Sequence, residues 1–181
     1  MAALSWPLAH NTIRRQVKNN AFGNVRNGGT RPHQGWDLYA PLFTPCYAIA
    51  DGKIEWARPR GDLGNLVLLR FEHGRQIYWA AYAHLGVIFP AEGALIARNE
   101  PIALTGTTGN AASMSGDDLH LHFEIRTMPF PGNGLGGRVD PALLYGYAPI
   151  GSTIVQTRGE SRTASGVKGL LVPGVNVLEG P

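Results

Sequence analysis

Leu119-His120-Leu121-His122-Phe123-Glu124-Ile125-Arg126 is the stretch on which the reading of this chain turns. Apolar and polar residues alternate through it without a break, the period of two that marks a β-strand. Leu119, Leu121, Phe123 and Ile125 therefore share one face, and His120, His122, Glu124 and Arg126 share the other. The apolar face belongs against a core. Two readings stand for the polar face. It is either the solvated side of an amphipathic strand, or a pair of imidazoles acting together on one small object, such as a metal and its bound water.

Working outward, two more segments carry histidines in patterned company. His33-Gln34-Gly35-Trp36-Asp37, taken as extended, puts His33 and Asp37 on one face with Gly35 between them. A glycine there leaves room for a metal or substrate to approach the backbone. Imidazole and carboxylate are N and O donors that zinc accepts, and catalytic zinc commonly takes three protein ligands plus water. A plain His–Asp hydrogen bond at a strand edge fits the same residues. In Tyr82-Ala83-His84-Leu85, strict alternation sets Tyr78, Ala80, Tyr82 and His84 on one face. A histidine among aromatics at a strand end reads first as a hydrogen-bonded structural residue. His10, in an irregular N-terminal stretch, and His73, at a turn, read as solvated.

The remaining chain supports a mainly β fold. Gly 24 and Pro 13 among 181 residues, with no repeat, exclude collagen and favour many short strands joined by turns. Strands are expected over 33–40, 47–50, 53–57, 66–71, 75–85, 94–96 and 101–105, with Asp51-Gly52 and His73-Gly74 as hairpin turns. One helical turn fits 141–145, with Asp140 placed to cap it and Pro141 at its first position. The expectation is antiparallel β-sheets in a sandwich or open barrel, with long groove-forming loops and little helix. Residues 1–21 read as an N-terminal extension, 22–149 as the functional domain, and 150–181 as a tail, partly ordered or docking.

Several classes fall away. The single cysteine, Cys46, excludes an intramolecular disulfide and any multi-cysteine zinc site. A net charge of +3 is too small to argue for nucleic acid. No apolar run approaches the roughly 20 residues of a membrane-spanning helix. At the N-terminus Arg14, Arg15 and Lys18 follow a short apolar patch, the reverse of a secretory signal. No signal peptide is expected, unless a leader was removed ahead of Met1.

The order of these elements, H-x-G-x-D, then Y-A-H-L, then H-L-H-F-E, resembles the lysostaphin/LytM family of zinc metallopeptidases that cut peptidoglycan cross-links. Ala48-Ile49-Ala50-Asp51-Gly52-Lys53-Ile54 is similar to that family's A-x-A-D-G-x-V segment. Gly64-Asn65-Leu66-Val67 resembles its G-N-x-V strand, and Thr105-Gly106-Thr107-Thr108-Gly109 its G-x-T-G turn. The resemblance covers residues 22–147. It implies the duplicated hybrid motif fold, one zinc ion held by His33, Asp37 and His122, and a catalytic pair His84 and His120. It implies hydrolysis of a stem-peptide cross-link, D-Ala–diaminopimelate being preferred over pentaglycine because no wall-targeting domain accompanies the catalytic unit. A non-catalytic wall-binding or amidase-regulating member is the alternative, disfavoured because all five site positions are intact.

Two features depart from the pattern. The loop before H-L-H is longer than in most relatives, and its Asp117 and Asp118 are candidates for meeting a substrate amine. Glu124 is a candidate for orienting a ligand, or for a salt bridge with Arg126 or a neighbouring strand. With no leader recognised, action in the periplasm or cell wall implies delivery by a contractile secretion machine or phage lysis. An antibacterial effector of that kind would have a cognate immunity protein as partner.

Overall fold

The computed structural model describes residues 3–158. Thirteen strands are found among them: β1 (His10–Asn11), β2 (Gly23–Arg26), β3 (Arg31–His33), β4 (Trp36–Tyr39), β5 (Pro45–Tyr47), β6 (Gly52–Pro59), β7 (Asn65–His73), β8 (Gln76–Ile88), β9 (Leu95–Ile96), β10 (Pro101–Thr105), β11 (His120–Arg126), β12 (Arg138–Val139) and β13 (Ile154–Val155). One short α-helix, α1 (Ala142–Tyr145), follows β12, and six single-turn 3-10 helices lie between strands elsewhere in the described residues. Every pairing is antiparallel, as the strand-and-turn pattern predicts.

The main sheet runs β12-β11-β8-β7-β6-β9, with β4 also on β11 and β10 bridging β8 to β5. The predicted strand at 119–126 lies at its heart. Leu121, Phe123 and Ile125 pack with Tyr82, Ala80, Val67, Leu69 and Trp36 in the principal core. Leu66, Leu68, Ala81 and Ala83 form a smaller cluster on the opposite face, against Trp56, Leu63 and Trp79. Because β7 and β11 are covered on both sides, the polar face of 119–126 is not a solvated one. Every residue of β11 is buried.

Residues 3–21 are woven into this body. Leu8 and Ile13 are wholly buried, Ile13 bridges Leu38, and Trp6 stacks 4.3 Å from the Tyr145 ring. The start of the expected tail is placed too, since β13 pairs with β1 and the Arg158 guanidinium lies 3.5 Å over the Tyr47 ring. Residues 159–181 lie outside the described residues. Asp140 does cap α1, its Oδ1 accepting from Ala142 N at 2.9 Å.

Three local expectations are corrected. Asp51-Gly52 is not a hairpin: Tyr47 pairs with Pro101, whereas Gly52 opens β6 against Phe71 and Ile96. The turn residues instead redirect the chain from one strand pair to another, with Asp51 Oδ1 accepting from Arg98 N at 2.7 Å. Residues 33–40 are not one strand but two, β3 pairing with β2 and β4 with β11, broken at Gln34-Gly35. A continuous strand would hold residues i and i+4 about 13 Å apart, too far for one metal. Finally, Gly35 admits protein rather than substrate. A Cβ there would collide with the Phe123 carbonyl oxygen and with Glu124 Cγ.

Gly35→Ala is therefore expected to lower stability by about 2 kcal/mol or more, since neither backbone can yield freely. Gly132→Ala, whose Cβ meets nothing within 4 Å, serves as the control. Urea unfolding of both variants checks this. Equal midpoints would contradict the close approach of the two segments.

Candidate metal centre and its catalytic pair

The break at Gly35 does what a straight strand cannot. On β4, Asp37 sits in register opposite His122 of β11, so their side chains leave the sheet as cross-strand neighbours. His33, carried on the separate strand β3, turns its Nε2 to 3.0 Å from Asp37 Oδ1. His122 Nδ1 lies 2.8 Å from the same oxygen. One donor atom from each of the three residues falls within 4.8 Å of the others, and all three side chains are buried. Ligand atoms of a tetrahedral zinc lie about 3.4 Å apart, so small side-chain turns close the set on an ion.

The surroundings fix what each residue offers. His33 Nδ1–H donates to the Ala21 carbonyl at 2.8 Å, leaving the Nε2 lone pair for a ligand. His122 Nε2 faces Glu124 Oε1 at 3.0 Å, which assigns its proton there and turns the Nδ1 lone pair inward. Asp37 Oδ2 accepts from Arg26 Nη2 at 2.7 Å and from Arg14 Nη2 at 3.5 Å, so Oδ1 is the oxygen left to coordinate. Three acceptors thus crowd one point, an arrangement that calls for a cation. Burial alone would raise the Asp37 carboxyl, but the His122 and His33 imidazoles against it outweigh that and hold it well below the usual carboxylate range. Burial likewise opposes charge on His122, yet the carboxylates of Asp37 and then Glu124 beside it push it up to about 9. The donor set fits a zinc-type metal.

Glu124 joins this centre to the cleft rim. Burial opposes its charge, but the bond to His122 and the neighbouring arginine keep it ionised, well below the usual carboxylate range. Its Oε2 accepts from Arg126 Nε at 2.7 Å and Arg138 Nε at 2.8 Å. Arg138 Nη1 in turn donates to the carbonyls of Gly132 and Gly134. The contacts that both expectations call for are present together: Glu124 bonds to His122 and pairs with Arg126.

His84 reaches the same place by an irregularity. Simple alternation would send it to the core side with Tyr82, the face expected above. Instead β8 carries an extra residue here: Val67 pairs with Tyr82 but Asn65 with Leu85. His84 takes φ 60, in the left-handed region, and a bulge of this kind re-aims a side chain. Its ring centroid lies 5.3 Å from that of His120 and 5.9 Å from that of His122. The Gly64-Asn65 and Thr108-Gly109 motifs lock the bulge. Asn65 Nδ2 and Thr108 Oγ1 both donate to the Leu85 carbonyl, and Asn65 N donates to Thr108 Oγ1. Gly109, at φ +68, lets the two loops touch, because a Cβ there would strike the Asp62 carbonyl.

His84 and His120 are matched in orientation. His84 Nδ1 donates to the Thr108 carbonyl at 3.0 Å and His120 Nδ1 to the Asp118 carbonyl at 2.7 Å. Each is thereby a neutral imidazole with its Nε2 lone pair available. Burial, with neighbouring imidazoles next, brings His84 down to about 4, and burial also lowers His120. Both line a cleft of about 880 Å³ together with His33, Asp37 and His122.

Asp117 and Asp118 are not in the lining of that cleft. Asp118 Oδ1 accepts from Arg14 Nη1 and Arg15 Nε, both at 2.9 Å, which ties the rim loop to the N-terminal segment. That carboxylate is engaged within the protein rather than turned to a substrate amine. Arg14 and Arg26, which steady Asp37, went unnoticed in the sequence. They sit in segments without periodic pattern, and only the fold brings them to the site.

Buried imidazoles and a carboxylate around one point, with two further imidazoles beside it, form a site able to hold a metal ion next to groups that can move a proton. Residues 31–141 match the description "Peptidase family M23", and the chain belongs to that family. It is 37% identical over 98 residues to the peptidoglycan DD-endopeptidase ShyB of Vibrio cholerae, covering 54% of this chain and 21% of that protein. It is also 37% identical over 103 residues to the DD-carboxypeptidase/endopeptidase Mpg of Neisseria meningitidis, covering 57% of this chain and 22% of Mpg. The chain thus spans about a fifth of the length of these curated relatives. Among solved structures, a zinc-containing peptidase from Vibrio cholerae superposes with a TM-score of 0.55 at 31% identity, over 68% of this chain and 36% of that one. The catalytic domain of lysostaphin from Staphylococcus simulans gives 0.57 at 26% identity, over 70% of this chain and 90% of that one.

Replacing Glu124 by Gln removes the charge that fixes the His122 tautomer. Metal affinity is expected to fall about 10–100-fold, measured by competition with a chromophoric chelator. An unchanged affinity would show that Glu124 serves only the two arginines.

Proposed function

We propose that this protein is a zinc-dependent peptidoglycan endopeptidase that hydrolyses a peptide cross-link of the bacterial wall, most specifically the D-Ala–diaminopimelate link. The observation that carries this reading is the meeting of His33, Asp37 and His122 with the free Nε2 atoms of His84 and His120 in one cleft. Relatives whose names describe DD-endopeptidases support the choice of bond. On this reading the protein acts where cross-linked wall is found, outside the cytoplasm.

His33, Asp37 and His122 would hold the ion. Bound there, it supplies Lewis-acid polarisation of the scissile carbonyl and brings the pKa of water toward about 7. The protein's own residues do the remainder. Because both imidazoles are neutral, one of His84 and His120 accepts a proton on Nε2 from the attacking water. Only after that gain can it act as the acid, returning the proton to the leaving amine. The carbonyls of Thr108 and Asp118 keep each Nδ1 protonated throughout, so neither ring must flip. Burial favours release of the acquired proton, which suits a shuttle rather than a store. A non-catalytic wall binder would have no need of two such rings beside three metal donors.

Digestion of purified sacculi, with products identified by mass spectrometry, tests the proposal. Cross-linked dimers should disappear with the zinc-loaded protein, persist with a chelator, and persist at least a hundredfold longer with His120→Ala. Loss of dimers that survives both treatments would overturn it.

A further inference from the structure

The cleft is markedly cationic, with Arg14, Arg26, Arg31, Arg60 and Arg138 in its lining. Three of these have internal work. Arg14 and Arg26 hold Asp37, and Arg138 holds Glu124. Among the described residues Arg31 and Arg60 form no ion pair, and Asp62, which also lines the cleft, does not pair with Arg60. The two differ in one respect. Arg60 is held by aromatic rings, its guanidinium 4.2 Å from the Phe130 centroid and 5.3 Å from that of Trp56. Those rings meet edge to face at 5.2 Å, joining the end of β6 to the glycine-rich loop after β11.

An exposed arginine on the surface is ordinarily a solvated charge. One held over aromatic rings is different, because the cation–π contact restricts its rotamers while its N–H donors, unpaired among the described residues, stay free. Those donors form a fork matching the two oxygens of a carboxylate. Arg58 provides the contrast within the same cluster. It too lies over Trp56, at 4.0 Å, but it is paired with Glu92 at 3.1 Å and is not in the cleft lining. The unpaired charge is the one turned to the cleft.

Resting on the endopeptidase reading above, we propose that Arg60, clamped by Trp56 and Phe130, determines specificity by binding a free carboxylate of the stem peptide. Besides their C-terminal carboxylate, stem peptides offer two that amidation can neutralise, the carboxylate of diaminopimelate beside the cross-link and the α-carboxylate of γ-linked glutamate, and it is one of these two that Arg60 binds. Amidation removes the charge of either while leaving the scissile bond alone. The enzyme should then discriminate between walls by their amidation state, through a residue that takes no part in bond cleavage.

The test compares kcat/KM of the zinc-loaded protein on soluble cross-linked dimers in three forms: unamidated, amidated at diaminopimelate, and amidated at glutamate. One amidated form should be cut more slowly on the order of tenfold, the loss of a charge-assisted pair, and it names the carboxylate that Arg60 reads. In Arg60→Gln the ratio between that form and the unamidated one should fall to near one. Arg58→Gln should preserve it, and Phe130→Ala should shrink it through loss of the clamp. Equal rates on all three forms, or a preference that persists in Arg60→Gln, would overturn the proposal while leaving the endopeptidase reading intact. Failure to cut any dimer would overturn both.

Discussion

The register that sets Asp37 opposite His122, on β4 and β11, is the constraint from which the site follows. Side chains alternate with a period of two, so a slip of one residue would turn Asp37 into the core and bring Leu38 or Trp36 to the metal face. The same slip would strand a buried carboxylate away from every partner it has, at a cost of several kcal/mol. The apolar half of the pattern thus protects the polar half. Leu121, Phe123, Trp36 and Leu38 are all wholly buried, and their packing fixes the pairing that brings donor atoms together.

Around that pair the protein has arranged charge so that few orientations remain open. Arginines from the N-terminal segments take one oxygen of Asp37 and leave the other. Glu124 takes one nitrogen of His122, and the Ala21 carbonyl takes one of His33. Each of the three candidate ligands is left with a donor atom facing inward. His84 and His120 repeat the device with carbonyl groups, so the two rings differ from the ligands in position rather than in kind. Arg138 carries the network outward to the 132–134 backbone, so the cleft rim and His122 share one ionic node at Glu124.

Much of this was legible in the chain. The alternation over 119–126 names a strand, its faces and two of the site histidines, since a buried strand keeps its period whatever surrounds it. The short-range consequence of Asp140-Pro141 was equally readable. What alternation could not show is where regularity breaks. Asp51-Gly52 satisfies hairpin chemistry, yet its flanks find better partners at Pro101 and Phe71, and long-range pairing prevails over the turn. His84 escapes the pattern because a bulge adds a residue, and the signal lay in neighbours that support it, Asn65 and Thr108, far away in sequence. His33 and Asp37 were rightly associated, but through a kink at Gly35 rather than along a strand. Arg14 and Arg26 carried no local signal at all.

Whether the five residues divide into three ligands and a free pair is read most directly by X-ray absorption spectroscopy of the zinc-loaded protein. Imidazole rings give multiple-scattering features that can be counted. Two imidazoles and one carboxylate oxygen at about 2.0–2.2 Å from zinc are the predicted shell. Three or more imidazoles would place His84 or His120 on the metal and contradict the assignment.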